Sequence, residues 1–84
     1  MKKAIWTIEA VITKEGEIVD LGGSPKGGLV FGENMKPLYF IEWDGHKIVD
    51  IDDVVTVTEC GHEYPIDEYL RDVDFEDLLE QYEG

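Results

Sequence analysis

The stretch Pro37-Leu38-Tyr39-Phe40-Ile41-Glu42-Trp43-Asp44-Gly45-His46-Lys47-Ile48-Val49-Asp50-Ile51 decides the fold class. Two runs rich in aromatic and β-branched residues flank Asp44-Gly45. Such runs suit a pleated, half-buried surface, and Asp-Gly suits a two-residue type I′ turn, which needs φ > 0 at both central residues. The stretch therefore reads as a β-hairpin with strands over 37–43 and 46–51.

Working outward, the same grammar recurs. Downstream, Asp52-Asp53 makes a short break and Val54–Glu59 reads as a last strand. Upstream, Leu29-Val30-Phe31 is a strand, and Gly22 to Gly28 is a glycine-rich loop with freedom to move. Glu17–Leu21 is a short strand after a turn at Lys14-Glu15-Gly16. In Ala4–Thr13 the even positions Trp6, Ile8, Ala10 and Ile12 are apolar, which predicts one long strand burying that face. Five to six short strands at this spacing predict a mainly β fold, a small barrel or twisted antiparallel sheet over residues 1–59.

Gly28-Leu29-Val30-Phe31-Gly32, Tyr39 to Gly45 and Val49 to Val54 together resemble the rhythm of SH3-like and Tudor-like barrels over residues 28–58. That resemblance implies a binding module. The Tudor-like form implies an aromatic cage, for which Trp6, Tyr39 and Trp43 are candidates. Large aromatics are mostly buried, so these three are expected in the core.

After Pro65 the period changes. Ile66, Tyr69, Leu70 and Val73 follow helical spacing, with Asp67 and Glu68 in the favourable first turn. Phe75, Leu78, Leu79 and Tyr82 repeat the spacing half a turn out of phase. One continuous helix over 65–83 would show two opposite apolar stripes, the second facing a partner or a second copy through Phe75, Leu78, Leu79 and Tyr82. A break near Asp74, a good N-cap residue, would let both stripes pack on the sheet. The break is the expected arrangement.

The 84 residues hold 20 acids against 7 basic residues, a net charge of -13, with 43% hydrophobic and 11% aromatic content. One small folded domain fits this, and disorder does not. Direct binding to nucleic acid or to an anionic membrane is not expected, because both need a basic footprint. The imbalance is local. Residues 1–41 hold five acids and five lysines, whereas residues 42–84 hold fifteen acids against Lys47 and Arg71. A domain of this length has a radius of gyration of about 12 Å, so a gathered acidic face would rival duplex DNA in charge density.

That segregation makes a non-catalytic, protein-binding module the expected function. Asp67, Glu68, Asp72, Asp74, Glu76, Asp77, Glu80 and Glu83, with Asp50, Asp52 and Asp53, are the candidate contacts to a basic protein. The sharpest form is a nucleic-acid mimic that occupies a nucleic-acid-binding enzyme, similar in composition to small phage-encoded inhibitors. The alternative is an SH3-like regulatory or accessory subunit that docks through apolar surface. A divalent-metal-binding protein is the third reading.

No cofactor, metal site or catalytic group is expected. Cys60-Gly61-His62 resembles half a zinc ribbon, but the single cysteine supplies no other half, even with His46 added, and a turn is the simpler reading. Asp72, Asp74, Glu76, Glu80 and Glu83 match calcium-loop spacing, yet Asp77 stands where that loop needs glycine. Ser24 lies in a loop without the ending of a phosphate loop. The single cysteine fits a cytoplasmic setting, and the apolar start breaks at Thr7 and Glu9, so export is not expected.

Overall fold

The computed structural model describes residues 3–82, with side chains as far as Glu80. Eight strands form in chain order: β1 (Lys3–Ile5), β2 (Ile8–Thr13), β3 (Ile18–Asp20), β4 (Gly27–Phe31), β5 (Pro37–Glu42), β6 (Ile48–Asp50), β7 (Val54–Glu59) and β8 (His62–Pro65). Two helices follow, α1 (Ile66–Asp72) and α2 (Phe75–Tyr82). The strands make two antiparallel sheets of four, in the orders β1-β4-β5-β6 and β3-β2-β7-β8. The mainly β class with a C-terminal helical segment is as expected, with more strands than the five or six anticipated.

The segment expected as one strand over 4–13 is two strands, and β1 and β2 belong to different sheets. The buried face also differs. Ile5, Ile8 and Val11 are fully buried and Thr13 nearly so, while Ala10 and Ile12 are only partly covered. The register against β7 shifts between Ile8 and Ala10. A bulge adds one residue and reverses which face points inward, so Val11 and Thr13 replace the expected Ala10 and Ile12.

The turns exchange roles. At Asp44-Gly45 only Gly45 has positive φ, and a longer loop is closed by the Glu42 N–H donating to the Lys47 carbonyl at 3.0 Å. The type I′ signature appears instead at Cys60 (φ 51) and Gly61 (φ 80), between paired Glu59 and His62. The sheet thus continues past residue 59 into β8, and Cys60-Gly61 is its hairpin turn.

The glycine loop is tied down rather than free. The Gly23 N–H donates to the Ile8 carbonyl at 3.1 Å, and the Lys26 N–H to the Gly23 carbonyl at 2.6 Å. Gly27 and Gly28 are buried members of β4. A Cβ on Gly28 would sit 2.6 Å from Trp6 Cε3, so only glycine allows β4 to cross this corner.

Ile5, Ile8, Val11, Leu29, Phe31, Phe40, Val54 and Val57 from the sheets and Tyr69 and Leu79 from the helices form one core. The helix breaks as expected. Val73 is extended and the Asp74 carboxylate accepts from the Asp77 N–H at 3.1 Å. Both stripes pack inward, α1 on β7 and β8 and α2 on β1. Of the residues considered for self-association, Phe75, Leu78 and Leu79 are spent on this core, with the Phe75 ring 5.0 Å from Phe31 and 5.4 Å from Tyr69. The Tyr82 side chain lies outside the described set. The radius of gyration is 11.4 Å.

Candidate functional site

The helices cover one side of the domain, at β1 and at β7 and β8. The opposite end of each sheet is an open edge strand, β6 in one and β3 in the other. These edges carry the same tripeptide, Ile18-Val19-Asp20 and Ile48-Val49-Asp50, with the same exposure pattern. In each, the valine packs against the core and the isoleucine points outward. Ile18 is 71% exposed and Ile48 61%, among the most exposed large hydrophobics of the described residues.

The two edges lie side by side. One groove is lined by Glu17, Ile18, Val19, Asp20, Lys47 and Ile48, among others. The Lys47 ammonium bridges it, donating to the Asp20 carbonyl at 2.8 Å. An adjoining groove of about 440 Å³ is lined by Thr13, Glu15, Glu17, Ile48, Val49, Asp50 and Asp53, with no basic residue. Cross-strand pairing extends the apolar surface on both sides, because Ile12 opposes Ile18 and Ile41 opposes Ile48. The result is a seam with outward isoleucines along it and a carboxylate rim interrupted by Lys47.

The sequence-predicted acids are not gathered in one place. Asp50 and Asp53 stand on the seam. Asp50 also caps the short turn after β6, accepting from the Asp52 N–H at 2.9 Å. Asp52 and Asp67 share a separate groove with Lys14 and Lys36. Glu76 and Glu80 flank Lys3. Glu68 and Asp72 are exposed on α1, where the Arg71 guanidinium bonds Asp72 at 2.8 Å and holds its carboxyl below the usual carboxylate range. Asp74 is a helix cap and Asp77 its donor. Glu83 lies outside the described residues.

Glu15, Glu17, Asp20, Ile18 and Ile48 are the functional candidates that sequence reasoning missed. Their visible signal is the repeated Ile-Val-Asp, each copy in a strand too short to show alternation. Trp43 is a second correction. It is 68% exposed, not core, and stands edge-on to Trp6 with ring centroids 5.4 Å apart.

Beneath α1, a buried carboxylate organises a polar core. Glu59 is 6% exposed and its Oε2 accepts from the Thr7 hydroxyl at 2.6 Å and the Tyr69 hydroxyl at 2.8 Å. Burial, then the Glu59 charge, pushes the Tyr69 hydroxyl well above its ordinary pKa. At Cys60, which is exposed, slight desolvation and then the carboxylates of Glu59 and Glu9 raise the thiol. A raised thiol is a poor nucleophile at neutral pH. Among the described residues no helix is long and apolar enough to cross a membrane. No family model, curated protein or solved structure matches this chain.

Proposed function

We propose that this chain is a non-catalytic binding module that receives an extended, basic and apolar segment of a partner protein in the seam between β3 and β6. The observation that carries this reading is the pair of matching edges, each presenting an outward isoleucine beside an acidic rim. Extended segments add to open strand edges through main-chain hydrogen bonds, and alternate side chains then enter flanking pockets. Ile18 and Ile48 supply apolar anchors, while Glu15, Glu17, Asp50 and Asp53 select lysine or arginine.

The charge also argues against a second copy as occupant. Self-pairing at this seam would bring together two acidic rims, Glu15, Glu17, Asp50 and Asp53 on each copy, with Lys47 the one lysine among the described residues of the grooves. The exposed isoleucines favour the accessory-subunit form of binding over pure nucleic-acid mimicry, in which the carboxylates alone would carry recognition. Charged edge strands also discourage aggregation. That protective role needs no pocket and does not require exposed isoleucine.

An eight-residue peptide alternating lysine and valine tests the reading by titration calorimetry. Complete burial of one isoleucine is worth about 1.5–3 kcal/mol; each is already part-covered and threonine keeps a methyl, so about half of that is lost at each site, and Ile18→Thr with Ile48→Thr should weaken the peptide roughly ten- to hundredfold while the fold persists. Neutralising Asp72, Glu76, Asp77 and Glu80 should leave that affinity nearly unchanged. Loss of binding in the helical variant with retention in the isoleucine variant would move the site to the helices.

A further inference from the structure

A second site stands on the β5–β6 hairpin at the end of the seam, whose first groove His46 also lines. The Glu42 N–H donates to the Lys47 carbonyl at 3.0 Å and the Gly45 N–H to the Glu42 carbonyl at 2.7 Å. Gly45, at φ +77 with open space around it, lets the chain turn sharply. Residues 42, 44 and 46 then fall on one side. Donor atoms of Glu42, Asp44 and His46 all lie within 4.8 Å of one another. His46 Nδ1 is 3.4 Å from Asp44 Oδ2.

The selectivity of this convergence is informative. The chain has 20 acids, yet among the described residues only this trio brings three such donors together. Among the described residues, neither Asp50, Asp52 and Asp53 nor Asp72, Asp74, Glu76 and Glu80 of the calcium-loop spacing do so. The trio is also not a purely acidic cluster, because it contains an imidazole. That distinguishes the ions it would favour. Calcium and magnesium take all-oxygen sites, whereas imidazole suits zinc, copper and nickel.

We propose that Glu42, Asp44 and His46 bind one divalent transition-metal ion of the zinc class, with three protein ligands and the remaining positions open to water. Catalytic zinc sites likewise use three protein ligands and leave a position to water, with more imidazole or thiolate than this trio supplies. Two carboxylates and an imidazole converge here, and among the described residues the one cation paired with them is Lys47, whose ammonium lies 3.9 Å from Glu42 Oε2. His46 and Asp44 are exposed and Glu42 partly so, so an ion reaches the trio without opening the fold.

Titration of the metal-free protein with zinc chloride, followed by calorimetry and by the imidazole proton resonances, tests this. One ion should bind per chain, shifting the His46 resonances while those of His62 stay in place. His46→Ala and Asp44→Asn should each weaken zinc by at least about tenfold, since losing even an outer-shell partner of a metal ligand costs that much. Calcium chloride should bind more weakly than zinc and be insensitive to His46→Ala. Unchanged melting temperatures of the metal-free variants would show that both still fold. Zinc affinity unaltered by His46→Ala, equal binding of calcium, several weak ions per chain or no saturation by millimolar zinc would each overturn the assignment.

Discussion

At the scale of single residues, the most consequential side chain is Tyr69. It belongs to the apolar stripe of α1, and its burial follows from helical spacing alone. Its hydroxyl is a different matter. The acceptor, Glu59, lies on β7, and the second donor, Thr7, is 52 residues away from it in sequence. No local pattern announces a buried carboxylate that joins a helix to two parts of the sheet. The arrangement has a pH signature. The folded-state pKa of Tyr69 is raised above the ordinary value of 10.0, so ionisation is easier in the unfolded chain. The corresponding stability is complete below pH 10 and declines as pH rises beyond it. Tyr69→Phe should remove that alkaline component. At neutral pH it should also lower stability by about 1–3 kcal/mol, because Glu59 Oε2 loses a buried donor. Urea unfolding of both proteins at pH 7 and pH 11 checks both expectations.

At the scale of elements, most strands, the turn at Lys14-Glu15-Gly16 and the helix break were legible, and the hairpin turns at Asp44-Gly45 and Cys60-Gly61 were not. Val54–Glu59 is a strand to the residue, and Asp74 ends one stripe and caps the next. The face of β2 was misread because a bulge has no sequence marker when both neighbouring phases carry apolar residues. Asp44-Gly45 is the better type I′ dipeptide, yet its loop closes over a longer span, and the I′ conformation falls on Cys60-Gly61. Cysteine is poorly suited to positive φ. Cys60→Asn should therefore stabilise the fold by about 1 kcal/mol, since asparagine tolerates that region and L-residues otherwise resist it. The gain should appear as a raised midpoint in denaturant with an unchanged slope. A lowered midpoint would mean that the Cys60 side chain contributes more than its backbone costs.

At the scale of the whole molecule, the net charge of -13 was plain and its arrangement was not. The helical acids are interleaved with apolar residues that the core consumes, and several stand beside Lys3, Lys14, Lys36 or Arg71. The seam carries Glu15 and Glu17 from the half of the chain that is neutral overall, opposite Asp50 and Asp53 from the acidic half. Only the sheet order brings them together, which is why counting by halves pointed elsewhere. A seam of this kind predicts a mixed salt response. Between about 0.05 and 0.5 M salt the screening length falls from well above to below ~10 Å, so binding of the alternating peptide should weaken. The contribution of Ile18 and Ile48 should persist, leaving residual affinity where a purely electrostatic ligand would be lost.

The central claim is that the open seam, and not the helical acids, is the binding surface. Its most direct test is a residue-resolved NMR titration of the protein with the alternating lysine and valine peptide. The predicted result is that amide shifts concentrate on Ile18–Asp20 and Ile48–Asp50, with the methyl groups of Ile18 and Ile48 moving alongside them. Shifts confined to Asp67, Glu68, Asp72, Glu76, Asp77 and Glu80, or spread evenly over the acidic surface, would contradict it.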